Sequence, residues 1–242
     1  MNRLLITIIF LNQFLFAFGQ GSLKTFVSKE KYHIDLSVKR QKEIQRRDQL
    51  LNKISLTSKE QEELDALLRK HDETVEDVWN VLEGECSWYC GGGNYTIKAS
   101  SALLDLNGVT YSANRANDLS YQTAWVEGKE GDGIGEYLEY LFKNNSPRIT
   151  RIIVSNGFVK SETAWKNNNR VKKLKLYVNG KPYGILQLDD TMDDQVFEVG
   201  TLGRNKDGTD LILRFEIIEV FNGDKYSDTA ITEIYFDGID VH

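Results

Sequence analysis

Lys173-Leu174-Lys175-Leu176-Tyr177-Val178-Asn179-Gly180 alternates polar and apolar side chains, then closes on a dipeptide that tolerates positive φ. Successive side chains of a strand point to opposite faces, so this stretch predicts a half-buried β-strand running into a hairpin turn. The same period of two recurs around it. Leu211, Leu213, Phe215 and Ile217 share one face, whereas Ile218 and Val220 have the opposite parity; a β-bulge near Ile217 would keep both sets inward. Further strands are predicted at 95–99, 136–142, 149–155, 185–188, 196–199 and 231–236. Many short strands separated by turn residues, with no helical period among them, predict a mainly β domain built as a sandwich.

Upstream the period changes. Residues 36–82 are rich in Glu, Lys, Arg, Gln and Leu and hold no Gly or Pro, which is helix composition. Leu64, Leu68, His71, Val75, Val78 and Leu82 alternate steps of four and three, so they fall on one stripe of a helix. Thr57 followed by Glu60, or Ser58 followed by Gln61, is a capping box that starts this helix and separates it from a weaker one at 39–54. The two make a helical hairpin, serving as a spacer or as a docking surface for a protein partner. His71 is read as a residue of the hairpin seam rather than a ligand, because no other His or Cys lies near it at ligand spacing.

The first residues fit a secretory signal peptide. Arg3 supplies a positive start, residues 4–18 are a largely apolar run broken at Asn12 and Gln13, and Ala17-Phe18-Gly19 offers a small-residue cleavage pattern. The apolar run falls short of the roughly 20 residues that cross a bilayer. Export to a secreted, periplasmic or cell-surface location is therefore expected, with no membrane span. The net charge of −6 provides no positive field for nucleic acid. Both cysteines lie in Cys86-Ser87-Trp88-Tyr89-Cys90, and export favours a Cys86–Cys90 disulfide over half of a metal site. So short a loop contributes roughly 2 kcal/mol. The organisation read from these shifts is signal peptide 1–19, linker 20–35, helical hairpin 36–84 and β-sandwich 86–242.

The stretch Ala116-Asn117-Asp118-Leu119-Ser120-Tyr121-Gln122-Thr123-Ala124-Trp125 resembles the Ala-x-Asp-Gly-x-x-x-Thr-x-Trp signature of discoidin-like and carbohydrate-binding modules with the galactose-binding fold. Leu119 stands where that signature has Gly. Five further blocks resemble the bacterial NADase-type glycan-binding domain family: Thr123-Ala124-Trp125-Val126-Glu127-Gly128, Gly133-Ile134-Gly135-Glu136, Asn156-Gly157-Phe158-Val159-Lys160, Asn168-Asn169-Arg170-Val171-Lys172 and residues 228–234. The resemblance implies a galactose-binding-like jelly-roll β-sandwich, preceded here by the helical hairpin, in an exported bacterial protein that binds a glycan or glycoconjugate.

In discoidin-like relatives an Asp-containing turn and a Glu of the last strand hold a structural cation, and the matching residues are Asp118, Thr123 and Glu233. Calcium takes six to eight oxygen ligands, which a carboxylate, a hydroxyl and backbone carbonyls can supply. The alternative is that Asp118 caps its own turn and Glu233 pairs with a surface cation. Sugars are gripped by an aromatic face together with amides, carboxylates or guanidinium groups. Trp165, Asn168, Asn169 and Arg170 offer that combination in one loop, with Tyr121, Glu127, Asp132, Asn156 and Lys160 on neighbouring loops. Against this, Arg170 could pair with Glu127 or Glu162 and merely fix its loop, while Trp125 is expected in the core.

No catalytic constellation is recognisable. The sandwich region holds His242 as its one histidine, which leaves paired carboxylates among Glu127, Asp132, Glu136 and Glu139 as the set a glycoside hydrolase would need. Three readings follow: a non-catalytic glycan-binding module, a protein-interaction ectodomain that uses the helical segment, and a carboxylate-based hydrolase.

Overall fold

A computed structural model of the chain describes residues 22–82, 87–91, 95–105 and 108–241. The signal-peptide segment and Cys86 lie outside these residues, so the expected leader and the Cys86–Cys90 pairing do too. Among the described residues no helix is long and apolar enough to cross a membrane.

The strands are β1 (Lys24–Val27), β2 (Glu30–Tyr32), β3 (Tyr95–Ala99), β4 (Trp125–Val126), β5 (Tyr137–Phe142), β6 (Arg148–Asn156), β7 (Asn169–Val178), β8 (Lys181–Gln187), β9 (Asp194–Leu202), β10 (Leu211–Phe221) and β11 (Thr229–Ile239). They form a jelly-roll β-sandwich. One layer runs β1-β8-β7-β10-β5-β3 and the other β2-β9-β6-β11-β4. The layers touch edge to edge where Thr229 and Ala230 pair in parallel with Asn169 and Arg170. Between them the inward faces of the strands make one apolar core. Phe236 of β11 meets Tyr140 and Phe142 of β5 at ring separations of 5.1 and 5.0 Å, both edge to face, the favoured geometry for aromatic quadrupoles. Trp125 is fully buried in this core, as expected.

The local signals read from sequence have clear physical counterparts. Asn179 and Gly180 both take positive φ, 49° and 76°, and join β7 to β8 through Val178 and Lys181. The β10–β7 register shifts between Ile217 and Val220. That bulge returns Val220 to the core, while Ile218 stays outside it and half-buried.

The helical region is shorter than its apolar stripe suggests. Helices α1 (Val38–Leu51) and α2 (Ser58–Lys70) form the hairpin, and the Thr57–Glu60 capping box opens α2. Yet α2 ends at Lys70, so Val75, Val78 and Leu82 are not helical. Asp72 accepts the Thr74 N–H at 2.9 Å and Asp77 accepts those of Trp79 and Asn80 at 2.6 and 3.1 Å. These Asx turns offer the backbone partners that a continued helix would otherwise supply. Val75 and Val78 still reach Ile44, through turns. Arg47, buried in α1, holds that geometry by donating to the carbonyls of Asp72 and Val75. His71 is buried in the seam, with Nε2 2.8 Å from Glu43 Oε2.

Residues 20–35, read as a linker, hold two strands. β1 pairs in parallel with β8, and β2 pairs antiparallel with β9. Phe26 fixes the first of these by entering the core over Gly184, where a Cβ would stand 2.4 Å from its ring. The hairpin is thus stitched down at both ends. Before it β2 joins the sheet; after it Val81 donates to the Leu119 carbonyl at 3.1 Å and Tyr121 donates to that of Trp79 at 2.9 Å.

Candidate ligand cleft and cation site

The turn at 116–123 is built from below. The Tyr140 hydroxyl donates to the Ala116 carbonyl at 3.0 Å and the Tyr95 hydroxyl to Asn117 Oδ1 at 2.7 Å. Leu119 sits at φ 56°, the left-handed region that explains why the signature favours glycine there. Thr123 Oγ1 lies 2.8 Å from both Asp118 oxygens, and Arg115 Nη1 donates to Asp118 Oδ2 at 3.1 Å. Glu233 comes from β11 and is 0% exposed. Its Oε1 accepts the Ser120 N–H at 3.1 Å, whereas Oε2 is buried without a hydrogen-bond partner. Burial first, and then the neighbouring Asp118 carboxyl, push Glu233 well above the usual carboxylate range.

The Asp118 carboxylate on the Thr123 hydroxyl, beside Glu233 with one buried carboxylate oxygen unsatisfied, forms an all-oxygen donor set suited to a hard cation. Among the described residues no three His, Cys, Asp or Glu side chains cluster at metal-ligand spacing, so backbone carbonyls of the turn would complete the shell. Asp118, Thr123 and Glu233 are the residues that would hold it.

The Trp165 loop contains a short helix, α3 (Glu162–Asn167), whose N-cap Ser161 accepts the Ala164 N–H at 3.1 Å. Its two faces do different work. On the inner face Trp165 donates Nε1 to the Asn156 carbonyl at 3.0 Å and lies 4.5 Å beneath the Arg170 guanidinium. Gly157, at φ 81°, makes room: a Cβ there would meet Arg170 at 2.6 Å and Trp165 at 2.8 Å. Arg170 forks onto Asp190 at 2.8 and 3.0 Å, so its partner is neither Glu127 nor Glu162. Asn156 clasps Val171 through both amide groups, at 2.7 and 2.9 Å. Asn169 ties down the 223–227 loop by accepting the Gly223 N–H and donating to the Ser227 carbonyl, each at 2.7 Å.

The remaining expected ligand residues are dispersed. Glu127 is buried and accepts the N–H groups of Lys129 and Thr229 at 2.7 and 3.2 Å; burial raises it above the ordinary carboxylate range. Asp132 is exposed and accepts from Asn169 at 3.1 Å, and Lys160 is exposed. Tyr121 belongs to a different neighbourhood: its hydroxyl donates to Asp194 at 2.7 Å, as do those of Tyr235, at 2.9 Å, and Ser155. Asp194, 1% exposed, was not singled out by sequence; a lone Asp at a strand start carries no pattern that marks it as buried.

The outer face of α3 lines an open cleft of about 430 Å³. Asn168 is the member of the expected set found there, its Nδ2 donating to the Ala164 carbonyl at 2.8 Å. Half-buried Tyr111 and Phe158 and exposed Tyr226 supply aromatic faces, over a floor that includes Leu103 and Val126. Asn167 and Asp228 stand at the polar side. Tyr226 is placed by the Asn167 carbonyl, which accepts its N–H at 2.8 Å, and Gly223 permits that close approach because a Cβ would stand 2.5 Å from the Asn168 backbone. Phe158 and Asp228 lie within the blocks that carried the family resemblance, and that was the available signal for them. Tyr111 and Tyr226 sit in polar stretches without periodicity.

The family model described as the NAD glycohydrolase translocation F5/8 type C domain matches residues 88–237. The chain belongs to this family. The match spans the Asp118 turn, the cleft and β3 to β11, and it leaves β1, β2 and the hairpin outside the matched F5/8 type C region. A comparison with curated proteins gives no match. Among solved structures, one of the CBM32-1, CBM32-2 and M60 catalytic domains of Clostridium perfringens ZmpB is similar at TM-score 0.44 and 15% identity, covering 63% of this chain. The CBM32-1 and CBM32-2 domains of the same protein give 0.41 and 14%, covering 84%. The arabinofuranosyltransferase AftD from Mycobacteria gives 0.39 and 17%, covering 60%. The chain spans 14%, 58% and 12% of those three chains respectively.

Proposed function

We propose that this F5/8 type C protein is an exported, non-catalytic glycan-binding module whose fold is fastened by a structural calcium ion at Asp118, Thr123 and Glu233. The observation that carries the reading is the cleft beside α3. Tyr111, Phe158 and Tyr226 offer faces for the apolar side of a pyranose ring, and Asn167, Asn168 and Asp228 offer partners for its hydroxyls. The orphaned Glu233 Oε2 supports the cation. The carboxylates that a hydrolase would use are engaged elsewhere. Glu127 is buried, Glu136 accepts from Ser100 and Ser101 at 2.5 and 2.6 Å, and Glu139 is paired with Lys98 and Arg214.

The test is a glycan array followed by calorimetry on hits, with and without calcium. Tyr226 is 43% exposed, so Tyr226→Ala should leave the fold intact while weakening binding at least about tenfold, the loss of one stacking face. Flat responses across animal, plant and bacterial glycans would defeat the reading. A second reading, an ectodomain that docks a protein through the hairpin, draws on exposed Val38, Leu51 and Ile54. It predicts a partner lost with Ile54→Ser and indifferent to Tyr226→Ala.

A further inference from the structure

The cleft beside α3 is asymmetric in its chemistry. Its floor is apolar, drawn from a satellite cluster that includes Leu103, Val126 and Phe158 and is separate from the main core. Its polar side is rich in acceptors. Asn168 uses one Nδ2 hydrogen on the Ala164 carbonyl at 2.8 Å, which leaves Oδ1 and a single N–H to offer, and Asp228 adds a half-buried carboxylate. Among the described residues no Lys, Arg or His lines the cleft. Of the two lysines that flank its lining residues in sequence, Lys166 pairs with Glu162 at 2.5 Å, and Lys225 stands at the rim with its ammonium 4.9 Å over the Tyr226 ring.

Acceptor oxygens take hydrogen bonds from sugar hydroxyls and amide N–H groups, whereas a carboxylate or sulfate on the floor would meet the like charge of Asp228 with no cation among the described lining residues to offset its lost hydration. We propose that the cleft selects uncharged glycans and turns away sialylated, sulfated and uronic-acid-bearing ones, with Asp228 as the residue that sets this specificity. The proposal rests on the glycan-binding reading of the same cleft.

The experiment pairs each neutral glycan on an array with its sialylated and sulfated derivatives. The wild-type protein should bind the neutral member at least about tenfold more tightly. Asp228→Asn keeps the shape and removes the charge, and it should narrow that gap to under about threefold. Thr163 is exposed on α3, so Thr163→Lys, which places a cation on the rim with little demand on folding, should bring the acidic members up to or beyond the neutral ones. Equal or tighter wild-type binding of the acidic members overturns the selectivity and leaves glycan binding standing. An unchanged gap in both variants overturns the role of Asp228. Silence across both sets brings down the glycan reading itself.

Discussion

Ser120 donates its backbone N–H to Glu233 Oε1 at 3.1 Å, which joins the Asp118 turn to the last strand across 113 positions of sequence. The partner oxygen, Oε2, is buried and unsatisfied, so the junction is short of one favourable contact. Calcium that binds the folded state alone stabilises it by about 2.7 kcal/mol at one hundred times its dissociation constant. Scanning calorimetry should therefore show a melting temperature that rises with calcium and falls with chelator. Glu233→Gln should remove this response while preserving the sandwich. A calcium-indifferent melt of the wild-type protein would count against the site.

Arg170 is buried, stacks on Trp165 and forks onto Asp190. Asp190 keeps enough solvent contact to rehydrate when its partner is removed. Arg170→Ala should thus cost about 2 kcal/mol, less than the loss of a fully buried pair. Arg170→Lys should recover little of it, since a point charge reproduces neither the fork nor the stack. Urea unfolding of the two variants measures both effects.

Asp194 carries the pH prediction. Burial is the dominant cause that pushes it up to about 6 from the ordinary aspartate value of 3.8, against the opposing hydrogen bonds of Ser155, Tyr121 and Tyr235. Between these two values the folded chain holds more proton at this site than the unfolded chain does. Its contribution to stability therefore falls as pH rises from about 4 to about 6, by about 3 kcal/mol. Asp194→Asn should flatten that segment of the stability profile, measured by denaturant unfolding at a series of pH values.

Arg47 is the corresponding lever in the hairpin. Its guanidinium satisfies the carbonyls of Asp72 and Val75 from a position that is almost fully buried. Arg47→Ala strands those acceptors and should lower hairpin stability by about 3 kcal/mol. Thr57→Ala should cost about 1 kcal/mol through loss of the capping box. Hydrogen exchange should localise both losses to α1 and α2 and leave β5 to β11 protected.

The strands were legible because one buried face enforces a period of two that survives in the chain, as in Lys173 to Val178. The Thr57–Glu60 cap was legible because its chemistry is local. The end of α2 was not. His71, Val75 and Val78 keep helical spacing although Asp72 and Asp77 turn the chain, so spacing alone could not separate a helix from turns that bury the same residues. β1 was silent because Phe26 is its single buried residue. In the candidate site, the Asp118 turn and Glu233 were readable through a signature. The division of α3 into an inner face with Trp165 and an outer face with Asn168 depends on which carbonyls and carboxylates the folded chain brings near, and no residue type announces that.

The helical hairpin leaves the sandwich and returns to it through paired backbone, at β2 on one side and at Trp79 and Val81 on the other. Its tip, at 52–56, is therefore joined to the body by two hydrogen-bonded seams. A force applied there divides between the β2–β9 pairing and the contacts on Leu119 and Tyr121, with neither strand of the excursion free to pay out. Tension on the tip would therefore reach the sandwich at two places at once, the β2–β9 edge and the Asp118 turn.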